Sequence, residues 1–140
     1  MVGVVLVTHG NLGKELLATA AFIIGELPAA TALSIAASES AEEIRERMSA
    51  AIMSVDPDND GVVILTDMFG GTPANVALSF LDERRVEVIT GVNLPMLLKL
   101  SNARSGSRTL FEIAQDLAVT GQRNIIFASD LLGKSDRQRK

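Results

Sequence analysis

Apolar residues follow two rhythms along this chain. Short unbroken runs of Val, Ile and Leu, bounded by turn residues, read as strands buried on both faces. Between them, apolar positions recur every three or four residues, the spacing of a helix with one buried side. Val2-Gly3-Val4-Val5-Leu6-Val7-Thr8 is the first strand. Asn11 stands at the cap position of a helix over about 12–25, with Leu12, Leu16, Ala20, Ile23 and Ile24 on or near one face and Pro28 as a breaker beyond it. Thr31-Ala32-Leu33-Ser34-Ile35 is a short, weaker strand. Ser40-Ala41-Glu42-Glu43 is a capping box, opening a helix to about 54 with Ile44, Met48, Ala51 and Val55 at helical spacing. Asp56 to Gly61 is a turn, and Val62-Val63-Ile64-Leu65-Thr66 is a buried strand ending at Asp67. Thr72 as N-cap and Pro73 as first helical residue predict a helix over about 73–81. Val86 to Thr90 is a fourth strand, and Asn93 begins a short helix over about 94–102. Thr109-Leu110-Phe111-Glu112 is a second capping box, whose helix stops near Gly121. Asn124-Ile125-Ile126-Phe127-Ala128 reads as a last strand.

Strands alternating with helices predict an α/β fold: an open parallel sheet joined by right-handed crossovers, with helices on both faces, in the three-layer flavodoxin-like manner. One domain is expected over residues 1–130, followed by a polar, mobile tail at 131–140. The last strand follows a long helical stretch, so pattern alone fixes neither its position nor its direction.

The length of 140 residues suits one domain, and 47% hydrophobic residues supply its core. No apolar run approaches the ~18 residues that span a bilayer. The first residues carry no basic segment of a signal peptide, so a cytoplasmic location is expected. A net charge of -4, with acids and bases mixed along the chain, argues against nucleic acid as a partner. The absence of cysteine excludes disulfides, thiol catalysis and thiolate metal sites.

His9 is the only histidine, and it emerges just past the first strand. That end of an open α/β sheet is where ligands bind. Asp67 ends the third strand, and first and third strands are usually neighbours in such sheets, so the two side chains are expected to face each other across the crevice. A carboxylate accepting the Nδ1 proton fixes the tautomer, leaves Nε2 with a free lone pair and stabilises the cation formed when Nε2 is modified. Alone, His9 reads equally as a strand cap and Asp67 as a turn residue; together they shift the balance to chemistry. Gly70 and Gly71 let the backbone approach a ligand closely. Thr72 and the amides behind it offer donors to an anion. A lone histidine makes a zinc site unpromising. No Walker loop, dinucleotide fingerprint or serine elbow is present. An aspartate-phosphorylated receiver would need an acidic pair where Thr8-His9-Gly10 stands. Phe69, with Leu94 and Met96 nearby, is a candidate apolar rim for a protein partner, the alternative being that all three are core.

Three segments now point to a family. Val4-Val5-Leu6-Val7-Thr8-His9-Gly10, Leu65-Thr66-Asp67-Met68-Phe69-Gly70-Gly71-Thr72-Pro73-Ala74-Asn75 and Ile89-Thr90-Gly91-Val92-Asn93-Leu94-Pro95-Met96-Leu97 resemble, in order and spacing, the EIIA component of the mannose-family sugar phosphotransferase system (PTS). The likeness covers about residues 1–128; residues 27–60 match only in pattern. It implies that His9 accepts a phosphoryl group on Nε2 from the phosphohistidine of HPr and passes it to a histidine of an EIIB protein. It implies that Asp67 bonds the other ring nitrogen and that backbone amides near Gly71, with Thr72, hold the phosphoryl oxygens. It places Gly10, Phe69, Gly70, Asn93 and Leu94 on the docking face. No metal or organic cofactor is implied, and the membrane components EIIC and EIID are reached only indirectly. The resemblance implies a homodimer that exchanges the C-terminal strand, here the segment around Asn124–Ala128. Some relatives continue into an EIIB domain, whereas a separate EIIB is expected here. A similar module feeds dihydroxyacetone kinase, but the run Phe69 to Pro73 looks more like the mannose type. Two rivals stay open: a regulatory phosphoprotein using the same His9 chemistry to signal phosphoenolpyruvate and sugar status, and a flavodoxin-like binding module in which His9 is only a ligand contact.

Overall fold

Val4, Val5, Leu6 and Val7 are fully buried because neighbours cover their strand on both faces and both edges. That strand, β1 (Gly3–His9), pairs with β2 (Ala30–Ile35) on one side and β3 (Val62–Thr66) on the other, and β4 (Val86–Thr90) lies outside β3. All pairs are parallel, in the order β2-β1-β3-β4, with His9 beside Ile35 and Val7 beside Thr66. The helices are α1 (Leu12–Ile24), α2 (Ala41–Val55), α3 (Thr72–Leu78), α4 (Leu94–Ala103), α5 (Leu110–Arg123) and α6 (Ala128–Leu131). This computed structural model describes residues 1–133.

Successive strand residues point to opposite faces, so β1 feeds two cores. Val5 and Val7 pack with Ile44, Met48 and Ile52 of α2 and with Val76, Ala77 and Phe80. Val4 and Leu6 pack with Ala20, Leu97, Leu100, Ile113 and Leu117 from α1, α4 and α5. The three-layer parallel α/β architecture is the one the alternating pattern predicts. Both capping boxes form: Ser40 with Glu43 and Thr109 with Glu112 each exchange side-chain and backbone bonds. Asn93 caps α4, accepting from the Met96 amide.

Four expectations need correction. The segment Asn124–Ala128 forms no strand: α5 runs past Gly121 to Arg123, Asn124 closes it, and α6 begins at Ala128. Ile125, Ile126 and Phe127 stand exposed, because a strand needs a ladder partner and this chain offers that segment none. Thr72 is the first residue of α3 and not its cap; Gly71 holds the cap position in an extended conformation, after Gly70 with its left-handed φ of 87°. The helix ends at Leu78, and shorter i to i−3 bonds carry the chain on to Leu81. On α1 only part of the apolar stripe is covered: Ala20 is buried, while Leu12, Ile23 and Ile24 are exposed. Of the tail expected at 131–140, residues 134–140 lie outside the described residues.

Candidate active site

β1 and β3 are adjacent and parallel, so their C-terminal ends lie side by side. This brings His9 and Asp67 together. Asp67 Oδ2 accepts from the His9 backbone amide at 3.0 Å and lies 2.8 Å from His9 Nδ1. The carboxylate is sunk between the strands, 12% exposed, while the imidazole is 52% exposed. Burial alone would raise the Asp67 carboxyl; the hydrogen bonds from the His9 side chain and backbone outweigh it, and the net shift is below the usual carboxylate range. An ionised carboxylate accepts only, so in the neutral ring the proton belongs on Nδ1 and the lone pair on Nε2. Among the described residues, the other oxygen, Oδ1, is buried without a partner.

The turn after β3 closes on the ring. A Cβ placed on Gly71 would lie 2.8 Å from His9 Cε1 and 3.4 Å from Nε2. Only glycine therefore lets the backbone lie against that edge of the imidazole. Thr72 is exposed and stands inside the helix as its first residue, so its hydroxyl is not the helix cap. Gly10 turns the chain after His9 with φ 53°, and its amide donates to Ile35 O at 3.0 Å. His9, Gly10 and Thr72 line one cavity of about 370 Å³ together with Ile35, Ala36, Ala37, Glu39 and Ile44. Phe69 and Met68 are exposed beside this turn.

Asn93 and Leu94 begin at the same sheet edge, where the Val92 amide donates to Thr66 O. Their side chains are engaged inside the molecule. Asn93 Nδ2 donates to Gly121 O at 3.0 Å, and Leu94 packs on the core beneath α4 and α5. Met96 is core. Among the described residues, no group of three or more His, Cys, Asp and Glu is placed to hold a metal ion. Among those residues, no helix is long and apolar enough to cross a membrane.

Residues 3–118 match the model of the family described as the PTS system fructose IIA component, EIIA-man. The chain belongs to this family. It is 32% identical over 125 residues to the mannose-specific EIIAB component of the PTS of Escherichia coli K12, covering 89% of this chain and 38% of that protein. This EIIA chain thus spans well under half the length of that relative. The fructose-specific EIIA component of Bacillus subtilis 168 is 30% identical over 135 residues, covering 96% of this chain and 91% of the relative. Among solved structures, the mannose/sorbose specific IIA subunit from Enterococcus faecalis superposes with a TM-score of 0.79 at 28% identity, covering 89% of this chain and 92% of that one.

Sequence reasoning missed two structural supports around this candidate site. Thr8 Oγ1 accepts the Gly13 amide at 2.8 Å and so shapes the turn that carries His9. Glu39 lines the cavity, and Arg47 holds it. Glu39 sits in a loop with no motif, and its partner lies two turns into α2. No local spacing rule links them.

Proposed function

We propose that this EIIA protein is a phosphocarrier, taking a phosphoryl group from the phosphohistidine of HPr onto His9 Nε2 and passing it to a histidine of an EIIB protein. The observation that carries this reading is the 2.8 Å contact between His9 Nδ1 and Asp67 Oδ2. In the loading step the donor's N–P bond breaks as the Nε2–P bond forms. The donor ring leaves neutral, keeping its own N–H. His9 becomes a phosphorylated imidazolium, and Asp67 balances its ring charge. Unloading runs the same bond changes toward the acceptor, and no third group has to move a proton.

One N–P bond replaces another, so the protein has mainly to align the two rings and shield charge. Backbone amides near Gly71 and the Thr72 hydroxyl are suited to hold the phosphoryl oxygens. Phe69, Gly70 and Gly10 flank the approach to Nε2, with Asn93 and Leu94 farther along the same edge. We assign the protein to the cytoplasm, where both phosphoryl partners belong, and to a homodimer built through the exposed C-terminal segment.

The test is phosphorylation by phosphoenolpyruvate, enzyme I and HPr, with wild type and His9→Ala followed by intact mass and acid lability. One acid-labile phosphate is expected on wild type and none on the variant. No label from active cognate donors overturns the reading. Onward movement of the label to EIIB separates the carrier from a purely regulatory phosphoprotein, which would keep it.

A further inference from the structure

Part of the cavity wall is the loop between β2 and α2, held by several hydrogen bonds. The Glu39 amide donates to Ala36 O at 3.1 Å. The Ala36 amide donates back to Glu39 Oε1 at 3.0 Å. Arg47 Nη1 donates to Glu39 Oε1 at 2.8 Å and Oε2 at 2.7 Å, and to Ser34 O at 3.0 Å. The Ala36 amide and the Arg47 guanidinium together hold the Glu39 carboxyl below the usual range, so it is ionised. At its root the loop is tied to the turn carrying His9. Gly10 donates to Ile35 O, and Ser34 Oγ donates to Asn11 Oδ1 at 3.0 Å.

None of these bonds reaches the imidazole. The Glu39 oxygens are turned toward the Ala36 amide and Arg47, which cancels their charge. Beside this neutralised carboxylate, the rest of the loop's lining is apolar: the exposed Ala36 and Ala37, with buried Ile35 and Ile44 behind them. A donor or acceptor histidine must reach Nε2 at roughly 3–3.5 Å and in line. The surface beside that histidine then overlies this cavity.

We propose that Glu39, clamped by Arg47, is a positioning residue for partner docking. It holds the Ala36–Ala37 wall as a preformed socket for an apolar side chain next to the partner's phosphohistidine. The inference rests on the reading of His9 as the phosphoryl acceptor. A preformed socket binds without first being ordered, which lowers the cost of association. Loss of the clamp therefore weakens binding of the protein partner and leaves the reactivity of Nε2 alone.

The experiment compares wild type, Glu39→Ala and Glu39→Gln with two donors: phospho-HPr and the small molecule phosphoramidate. Glu39→Ala should raise KM for phospho-HPr roughly tenfold with kcat held. Labelling by phosphoramidate should stay at the wild-type rate. Glu39→Gln keeps an oxygen for the Ala36 amide but loses the charge and one acceptor of the Arg47 clamp, so it should recover only part of the loss. An unchanged KM in Glu39→Ala overturns the proposal. Slowed phosphoramidate labelling overturns it too, since the loop would then act on the ring itself. Ala37→Asp, which adds charge to the exposed wall and removes no packing, should raise the same KM; no change there is equally fatal. If phosphoramidate labels His9 of wild type but phospho-HPr does not, the carrier reading falls and takes this inference with it.

Discussion

Exchanging one oxygen of Asp67 for an amide nitrogen leaves its size and shape unchanged and removes the charge opposite His9. An asparagine oxygen can still accept from the His9 backbone, but it neither enforces the Nδ1–H tautomer nor balances a phosphorylated imidazolium. Asp67→Asn should therefore fold, by circular dichroism, and slow phosphoryl transfer roughly a hundredfold. Unchanged transfer in rapid-quench kinetics would remove Asp67 from the mechanism. The same carboxylate links stability to pH. Its native pKa lies below the ordinary value of about 3.9, because the His9 hydrogen bonds outweigh burial. Its stabilising contribution is complete above that ordinary value and is lost as pH falls through the lower native one. The gap in urea stability between wild type and Asp67→Asn should be flat near neutrality and shrink below about pH 4.

At the scale of one element, α1 is capped from an unexpected place. Asn11 occupies the cap position but makes no capping bond, and its side chain accepts from Ser34 instead. The Gly13 amide is satisfied by Thr8 Oγ1, which is fully buried. Thr8→Val keeps the shape and leaves a buried donor without a partner, a loss of about 1–3 kcal/mol. A lowered urea midpoint is expected; an unchanged one would mean that water replaces the hydroxyl. The elements that could be read in advance were those with local signals. The capping boxes at Ser40 and Thr109, the Asn93 cap and the unbroken runs of β1 and β3 all rest on neighbours within four residues. His9 and Asp67 were legible as a pair because strand order follows from topology rules. The Thr8 cap and the Glu39–Arg47 clamp were not, because each depends on how loops fold back in space. The run Ile125-Ile126-Phe127 has the composition of a strand, but pairing is a property of the surroundings, and within one copy the segment joins no sheet.

At the scale of the whole molecule, β4 is an edge strand, with one side of its backbone without a ladder among the described residues. Ile125, Ile126, Phe127, Leu131 and Leu132 are exposed along the C-terminal segment. A second copy would cover them, as in the homodimer proposed above. Light scattering should show a dimer for wild type and a monomer for Ile126→Asp, because a buried, unpaired charge opposes association. A monomeric wild type would leave that segment to some other partner.

The order of the strands also bears on how the protein is made. His9 belongs to the first of the sheet's strands in chain order, whereas Asp67 follows 58 residues later. Between them the chain must lay down β2 on one side of β1 and then return to the other side to add β3. A nascent or truncated chain thus displays the histidine long before the carboxylate can reach it, and the pair forms only when β3 docks beside β1.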